Sequence, residues 1–464
     1  ISQLVALVKN KLKPENTALE TVNLLRQVIH HEKGYRYTEQ VDERGIPKND
    51  DELFLHGMLK SKLGYCMNLS LLYLIIGDQL GLPLYGVALP NHFFVRYDSG
   101  NDRINIESTE LGTSYPDSFY ENRFGVKFDS KTPFFTHSLN KKKSLGAYLS
   151  NVGMVYHKNI RPHKSIFYLK PSTKINPLSI EAHNNLANIY GEIKQPELAI
   201  SQYKKALEAN PNSTPTFFNL AQTYTELSKT DLAIESLLQV IQIEPSFNQA
   251  RRQLVKIYLQ KEKFISALLH LKKLTTTNAN DINAHISMGK IYNKLGNFKL
   301  AIDVVNPIIS SNPDNIQARE ILAEIFYNTG DLDRSIAEYR RILDKNSNYL
   351  PSYIQLGWIY YRKGEFQMAT AWTKRGLKLG TPSPQLDSLS SMNLGLYSWL
   401  NNDYVAAKKW YRKALQGGSK NILNGILKDL KDTALLFPKK IAVDFFSGWI
   451  YMETGKKKMA FPHL

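Results

Sequence analysis

The sequence has only one cysteine, Cys66, among 464 residues. One cysteine excludes an internal disulfide and any zinc site built from several cysteines. No run approaches the roughly 18–20 apolar residues of a membrane-spanning helix. A phosphate-binding glycine loop, a dinucleotide fingerprint and a His-Glu-x-x-His zinc motif are also missing. His30-His31 is a pair without matching ligands nearby. We therefore expect no cofactor and no metal site.

Composition and length are those of a soluble globular protein. Hydrophobic residues make up 43% of the chain and charged residues 22%, which are ordinary values. The length suits two or three domains. The first residue is Ile1 rather than Met, and no signal peptide is visible. We expect an upstream segment to have been removed, which favours an exported, periplasmic protein.

The positive charge is concentrated in the back of the chain. Net charge is +17 overall, yet residues 1–145 hold 18 basic and 17 acidic residues. The remaining 41 basic and 25 acidic residues give the back of the chain a net charge of +16. This excess suits an acidic partner, although a solvated lysine-rich surface explains it equally well. Without a recognised nucleic-acid module, it argues against nucleic acid as the main partner.

A buried helix is predicted to start at Cys66. The motif Gly81-Leu82-Pro83 ends this helix. Free N–H groups and the helix dipole favour a thiolate in the first turn, where a nucleophile would be useful. A lone cysteine is more often an inert core residue, so both interpretations stay open. The apolar residues with helical spacing are Leu69, Leu72, Tyr73, Ile76 and Leu80.

A strand, a tight turn and a second strand are predicted after this helix. With Ser99-Gly100 as a two-residue loop, opposed residues have numbers that sum to 199. His92 then lies opposite Glu107, with Cβ atoms roughly 4.5–5.5 Å apart. A carboxylate there would hold the imidazole while its other nitrogen meets the cysteine. The same register pairs Val95 with Ile104 and Phe93 with Ile106, and sets Arg96 against Arg103.

These motifs resemble the transglutaminase-like superfamily, in its bacterial Cys/His/acid branch. The resemblance covers about residues 50–115 and includes Gly-Tyr-Cys at 64–66 and Pro-Asn-His-Phe at 90–93. It implies an α+β, papain-like fold with Cys66 as nucleophile, His92 as general base and Glu107 orienting the histidine. The family usually has Asp in the third place, and several of its members lack an assigned activity.

A period of 34 residues starts at Gly146. Each unit has an apolar residue at position 7, a small residue near 8 and an aromatic near 11. Small residues let two antiparallel helices approach closely, and aromatics fill the gap between them. The pattern strongly resembles the tetratricopeptide repeat, which implies an all-α superhelix, an α-solenoid. Units start at residues 146, 180, 214, 248, 282, 316 and 350, and an eighth starts near Ser388.

Such repeats stack with a concave inner face that first-helix positions 2, 5, 9 and 12 line. Asparagines beside basic residues there would clamp a carboxylate or an extended acidic peptide, while solvated polar positions are the simpler explanation. Trp358 and Tyr361 occupy equivalent positions farther on, where a helical partner would fit. The candidate ligand-binding residues are Asn184, Asn188, Arg252, Lys256, Lys290 and Asn293.

Together these patterns predict three regions. Residues 1–140 form the transglutaminase-like domain, 146–421 the repeat array of about eight units, and 422–464 an extra helix and the start of a further repeat. The chain stops inside that unit, so we expect the natural protein to continue.

Three functions remain open from the sequence. The first is a repeat scaffold whose cysteine triad cleaves or transfers acyl groups on a protein or peptide bound by the repeats. The second is an inactive transglutaminase-like fold that serves as an assembly subunit of a larger protein complex. The third is a binder of acidic surfaces or nucleic acid through the basic repeats. Alkylation of Cys66 across pH discriminates the first two, because only a nucleophile needs a lowered pKa.

Overall fold

The structure is a computed structural model in which two compact units are distinguished. The first unit is Ile1–Ile257 and the second is Tyr258–Leu464. The residues that the structure describes are 1–41, 47–89, 92–126, 128, 138–158, 161–380, 384–416, 420–436 and 443–460.

The front of the first unit mixes helices and short strands. A π-helical turn, Gln27–Glu32, extends the second helix. The helices are α1 (Ser2–Lys11), α2 (Ala18–Arg26), α3 (Leu55–Ser61), α4 (Cys66–Leu80) and α5 (Asp117–Phe124). The strands are β1 (Arg36–Tyr37), β2 (Leu63–Gly64), β3 (Leu84–Leu89), β4 (His92–Asp98) and β5 (Arg103–Ile106).

Helix α4 forms the centre of this α+β part. It begins at Cys66 and ends at Leu80, before Gly81, whose φ of +67° is the left-handed cap that glycine adopts readily. The predicted start and stop are therefore confirmed. Fully burying one Leu or Ile side chain contributes about 1.5–3 kcal/mol, so this helix anchors the core. The predicted apolar stripe is buried at Leu69, Leu72, Tyr73 and Ile76.

The sheet beside α4 has three antiparallel strands in the order β3-β4-β5. Strand β4 lies in the middle, and Phe93, Phe94 and Val95 on it are buried. A separate parallel pair joins β1 to β2. Gly86 on β3 allows a close approach, since a Cβ there would lie 2.3 Å from the Phe93 ring and 2.6 Å from the Ser144 hydroxyl. The β3 backbone therefore packs directly against Phe93 and Ser144.

Paired antiparallel helices follow the sheet, as the 34-residue period predicts. The predicted fold class, an α+β domain followed by an all-α array, is confirmed. The pairs are α6 (Lys141–Lys158) with α7 (Pro162–Ile175), α8 (Ile180–Glu192) with α9 (Pro196–Ala209), α10 (Thr214–Glu226) with α11 (Thr230–Ile243), α14 (Ile282–Lys294) with α15 (Phe298–Ser311), α16 (Ile316–Asn328) with α17 (Leu332–Lys345), α18 (Leu350–Arg362) with α19 (Phe366–Lys378), and α20 (Pro384–Leu400) with α21 (Tyr404–Gln416). Helices α12 (Asn248–Gln260) and α13 (Phe264–Thr277) follow α11 along the chain.

Small residues at position 8 are the contact points within these pairs. A Cβ added at Gly153 would lie 2.7 Å from Leu169. At Gly357 it would lie 2.2 Å from the Thr373 hydroxyl. Real Cβ atoms do not approach this closely, so α6 packs on α7, and α18 on α19, with no room for a side chain at these two glycines.

Three further helices complete the described chain. They are α22 (Lys420–Leu436), α23 (Val443–Glu453) and α24 (Lys457–Ala460). Helix α22 is the extra helix that the sequence predicted. No helix within the described residues is long and apolar enough to cross a membrane.

Candidate functional site

Cys66 lies at the first residue of α4, where a buried amide fixes the start of the helix. The Asn68 side-chain oxygen accepts a hydrogen bond from the Tyr65 N–H at 2.7 Å. Its amide nitrogen donates to the Glu52 carbonyl at 2.5 Å. Gly64 leaves room for this amide, because a Cβ there would lie 2.7 Å from its oxygen. The Gly-Tyr-Cys motif thus places the thiol at one defined point.

The thiol at this point is buried and protonated. Cys66 is 4% exposed. Burial, with a smaller effect of the Glu107 charge, raises the pKa of the Cys66 thiol to about 12. Backbone N–H groups of Cys66 and Met67 at the helix start, and of Phe93 on β4, lower the pKa, but their effect is smaller. At this position desolvation of the charged form therefore outweighs the effect of the helix end on the thiol pKa.

His92 and Glu107 form a close pair. The His92 Nε2 lies 2.7 Å from the Glu107 Oε2. Thr109 donates to the other carboxylate oxygen through its N–H at 3.1 Å and its hydroxyl at 2.6 Å. Burial opposes the charge of Glu107, yet hydrogen bonds from His92 and Thr109 leave its pKa lowered. The carboxylate is therefore ionised and holds the ring by Nε2, so Nδ1 is the ring nitrogen that the carboxylate does not bind.

The register that led to this pair is nevertheless wrong. Val95 pairs with Ile106 and Arg96 with Asn105, so opposed numbers sum to 201. The chain reverses over four residues, with the Ser99 N–H bonded to the Asp102 carbonyl at 3.1 Å. A displacement of two residues keeps every side chain on its face. His92 and Glu107 therefore meet as diagonal neighbours, and Arg96 does not face Arg103.

The single long strand read from residues 84–97 is also two strands. Strands β3 and β4 pair antiparallel, with Leu89 opposite His92. Pro90 and Asn91 of the Pro-Asn-His-Phe motif lie outside the described residues. Three strands thus take the place of the predicted two.

Aromatic rings of α5 cover the histidine, and the sequence did not predict them. The Phe124 ring stacks on His92 with centroids 4.9 Å apart and planes 7° apart. Tyr120 is fully buried, and its hydroxyl has no hydrogen-bond partner among the described residues. Burial and the Glu107 charge raise the pKa of Tyr120. The i, i+4 spacing of Tyr120 and Phe124 is the helical signal from which this helix could have been predicted.

Cys66 and the His–Glu pair are linked through serines. Ser108, next to Glu107, donates to the Cys66 carbonyl at 3.4 Å. Its hydroxyl also lies 2.8 Å from the Ser70 hydroxyl on α4. In the described part of the chain, no hydrogen bond joins the Cys66 thiol to the His92 ring. The three predicted residues thus share one region, with the acid–histidine contact made and the thiol separate from it.

Comparisons with known proteins agree with this fold. Residues 1–131 match the family described as "Transglutaminase-like superfamily". Tetratricopeptide repeat families match residues 180–213, 202–235 and 287–350. This chain is a transglutaminase-like domain followed by tetratricopeptide repeats.

Individual relatives cover little of the chain. The F-box only protein 21 of Homo sapiens is 38% identical over 55 residues, which are 12% of this chain and 9% of that protein. The mouse protein of the same name is 36% identical over the same length. This chain therefore spans less than a tenth of the curated relatives that it matches.

Solved structures of repeat proteins are similar to part of the chain. A tetratricopeptide repeat protein from Parabacteroides merdae has 19% identity and a TM-score of 0.37, and the match covers 54% of this chain and 98% of that one. YrrB, described as a TPR protein with an unusual peptide-binding site, has 17% identity and a TM-score of 0.32, with coverage of 38% and 92%.

The asparagines predicted to line the repeats contact neighbouring helices. The Asn184 amide donates to the Thr216 hydroxyl at 2.8 Å. Asn188 accepts from the Tyr203 hydroxyl at 2.5 Å and from the Asn219 amide of the next repeat at 3.3 Å. Asn293 is buried, and its side-chain oxygen accepts from Asn328 at 3.0 Å. These three amides hold adjacent repeats together, which the sequence pattern did not distinguish from ligand binding.

The basic candidates differ from the asparagines because they face solvent. Arg252 and Lys256 are exposed one turn apart on α12. Lys290 on α14 is exposed as well. Within the described residues, no group of three or more His, Cys, Asp or Glu side chains is arranged to hold a metal ion. Among the six candidates, these three cationic residues are therefore the ones exposed to solvent.

Proposed function

We propose that this protein is a scaffold that binds a protein or peptide through its tetratricopeptide repeats. In this proposal the transglutaminase-like domain, residues 1–140, keeps the Cys66 thiol buried and serves as a structural cap on the repeat array. The array is assigned to residues 146–421, and residues 422–464 add the extra helix and a further partial repeat.

Burial of the Cys66 thiol carries the proposal. A nucleophile must be ionised and reachable, whereas this thiol is 4% exposed and has its pKa raised to about 12 by burial. By contrast, the matched repeats occupy much of the remaining chain. Repeats of this kind present extended surfaces to other proteins.

Charge reversal on α12 tests binding by the repeats. In the variant Arg252→Glu/Lys256→Glu, we expect affinity for a short acidic peptide to fall about 10–100-fold, because two charge-assisted contacts are lost. Fluorescence anisotropy of the labelled peptide at low and moderate salt measures this change. Lys290→Glu alone is expected to give a smaller loss.

The matched control reverses the same charge elsewhere. Lys272 and Lys273 are exposed on the second helix α13. Lys272→Glu/Lys273→Glu changes the net charge equally and should leave peptide affinity within about twofold. Equal losses in both double variants would mean that only net charge matters. Binding of single-stranded nucleic acid in place of the peptide, with a steep salt dependence, would favour the third function instead.

Cysteine-dependent acyl transfer is the second candidate, because His92 lies 2.7 Å from an ionised Glu107. In this reaction His92 Nδ1 takes the thiol proton and the Cys66 sulfur bonds to an amide carbonyl carbon. The C–N bond then breaks as the imidazolium gives its proton to the leaving amine. Water or another amine releases the acyl group from the thioester.

Mass spectrometry separates the two candidates. The protein is incubated with a glutamine-containing peptide, and intact masses are compared with those of Cys66→Ala. The scaffold proposal expects no acyl adduct at Cys66, no product beyond the Cys66→Ala background, and equal peptide affinity for both proteins. Turnover that depends on Cys66 would establish the acyl-transfer function.

A further inference from the structure

Helix α22 is amphipathic and does not follow the repeat pattern. The exposed residues on its outer side include Asn424, Lys428 and Lys431. Its apolar stripe joins the core of the last repeats. The buried residues follow the spacing i, i+3, i+7 and i+10 and are Leu423, Ile426, Leu430 and Thr433.

This stripe covers positions that line the inner face of a repeat. Tyr361 is at position 12 of its unit, and its hydroxyl lies 2.8 Å from the Thr433 hydroxyl. Met392 is at position 5 of the next unit, with its sulfur 3.3 Å from where a Cβ on Gly425 would be. Helix α22 therefore packs on α20, reaches α18 at Tyr361, and also contacts α21 and α23. Part of the face that the sequence assigned to a helical partner is occupied by the chain itself.

The fit of α22 on this surface is imperfect at its polar groups. Asp429 lies near the hydroxyls of Tyr361, Tyr397 and Tyr411. Burial, with a smaller effect of Asp432, raises the pKa of Asp429 to about 6, and Lys428 opposes this rise. The Tyr397 and Tyr411 hydroxyls are buried without a hydrogen-bond partner in the described chain. Such groups make the docked state costly, which favours exchange for a better-matched helix.

We propose that the first-helix face of α18 and α20 is a docking surface for an amphipathic helix of a partner protein, and that α22 occupies it until the partner displaces it. The partner helix has apolar residues at the spacing of Leu423, Ile426 and Leu430. It has an uncharged polar residue in place of Asp429, which removes the buried charge. This inference rests on the proposed scaffold function and names the partner for one face of the repeats.

The experiment removes α22 from the surface and supplies it again as a peptide. The variant Ile426→Asp/Leu430→Asp is made in the full chain. A fluorescein-labelled peptide of residues 420–436 is titrated with this variant and with the unaltered protein. We expect the variant to bind at least about 100-fold more tightly, because the tethered helix competes at an effective concentration near millimolar. The same peptide with Asp429→Asn should bind at least about tenfold more tightly at pH 7.5.

This tenfold preference depends on pH with a definite sign. Docking raises the pKa of Asp429, so docking takes up a proton as pH falls through about 6. The Asp429 peptide should therefore gain affinity at pH 5, and the difference from Asp429→Asn should shrink. Tyr361, Tyr397 and Tyr411, and the neighbouring Asp432 and Lys428, are the same for the Asp429 and Asp429→Asn peptides. They therefore do not account for the difference in affinity between the two peptides.

Two controls fix the interpretation. Asn424→Asp/Lys431→Asp changes only exposed residues of α22. In this variant α22 should stay docked and the labelled peptide should bind no better than to the unaltered protein. The peptide carrying Ile426→Asp/Leu430→Asp should not bind. If the Ile426→Asp/Leu430→Asp protein loses its native tryptophan fluorescence, α22 is an integral part of the fold and the proposal is wrong. A folded variant that does not bind the peptide also overturns it, while acidic-peptide binding at α12 tests the scaffold function separately.

Discussion

Replacing Asp117 by alanine is expected to lower the free energy of unfolding of the first unit by about 3–5 kcal/mol. The Asp117 Oδ1 accepts from Arg96 at 2.9 Å and from Asn105 at 2.7 Å. Arg96 is 2% exposed, so its buried charge would lose the carboxylate that bonds to it at 2.9 Å. Asp117 also begins α5, whose rings cover His92. Loss of the Asp117 hydrogen bonds should also loosen the packing of α5 on His92.

The two units can be followed separately in urea. Cys66 is the only cysteine and lies in the first unit, so pulsed alkylation reports its unfolding. All five tryptophans lie between residues 358 and 449, in the second unit. Asp117→Ala should shift the alkylation midpoint and leave the tryptophan midpoint in place.

A surface ion pair on the same sheet provides the control for Asp117. Arg103 and Asp98 are 3.5 Å apart, with the Arg103 side chain 58% exposed. Arg103→Ala should cost less than about 1 kcal/mol. Similar losses in both variants would contradict the role given to the buried Arg96 charge.

Gly357→Leu is expected to destabilise the second unit by about 3 kcal/mol. A Cβ at this position would lie 2.2 Å from the Thr373 hydroxyl and 3.3 Å from the Ala369 carbonyl, which is backbone. Overpacking of this kind costs about 1–3 kcal/mol or more, and here α18 and α19 must separate. The tryptophan transition should move to lower urea, while alkylation of Cys66 keeps its midpoint.

Gln355→Leu is the matched control for this substitution. Gln355 is exposed on the same helix, so the same side chain enters without meeting α19. Its transition should lie within about 0.5 kcal/mol of the unaltered protein. If Gly357→Leu were equally mild, the close approach of the paired helices would not be what the small residue at position 8 provides.

The repeats and the start of α4 could be predicted because their signals are local. Position 8 of each unit and the stop at Gly81 follow from spacing and backbone chemistry alone. The His92–Glu107 pair could be predicted for a different reason: either turn length keeps both side chains on one face. The four-residue turn itself rests on bonds between Ser99 and Asp102, which the Ser-Gly signal did not reveal.

The state of the thiol could not be read from the sequence. A helix start favours a thiolate, and that local effect is present at Cys66. The opposing effect is desolvation, which depends on residues that are distant in the chain. Likewise, the amide of Asn293 looks like a ligand-binding group until its bond to Asn328 across repeats is known. Both the protonation state of Cys66 and the role of Asn293 thus depend on contacts with residues distant in the chain.

The pH dependence of Cys66 alkylation by iodoacetamide most directly tests whether the Cys66 thiol is buried and protonated in the native protein. In urea the rate should rise with the ordinary thiol pKa of about 8.5. In the native protein, with the thiol pKa raised to about 12, the rate at pH 7.5 should be at least about 1,000-fold lower, since the thiolate is the reactive form. It should still be rising at pH 10. Rapid native alkylation with a midpoint at or below pH 7 would contradict the scaffold proposal and identify Cys66 as a working nucleophile.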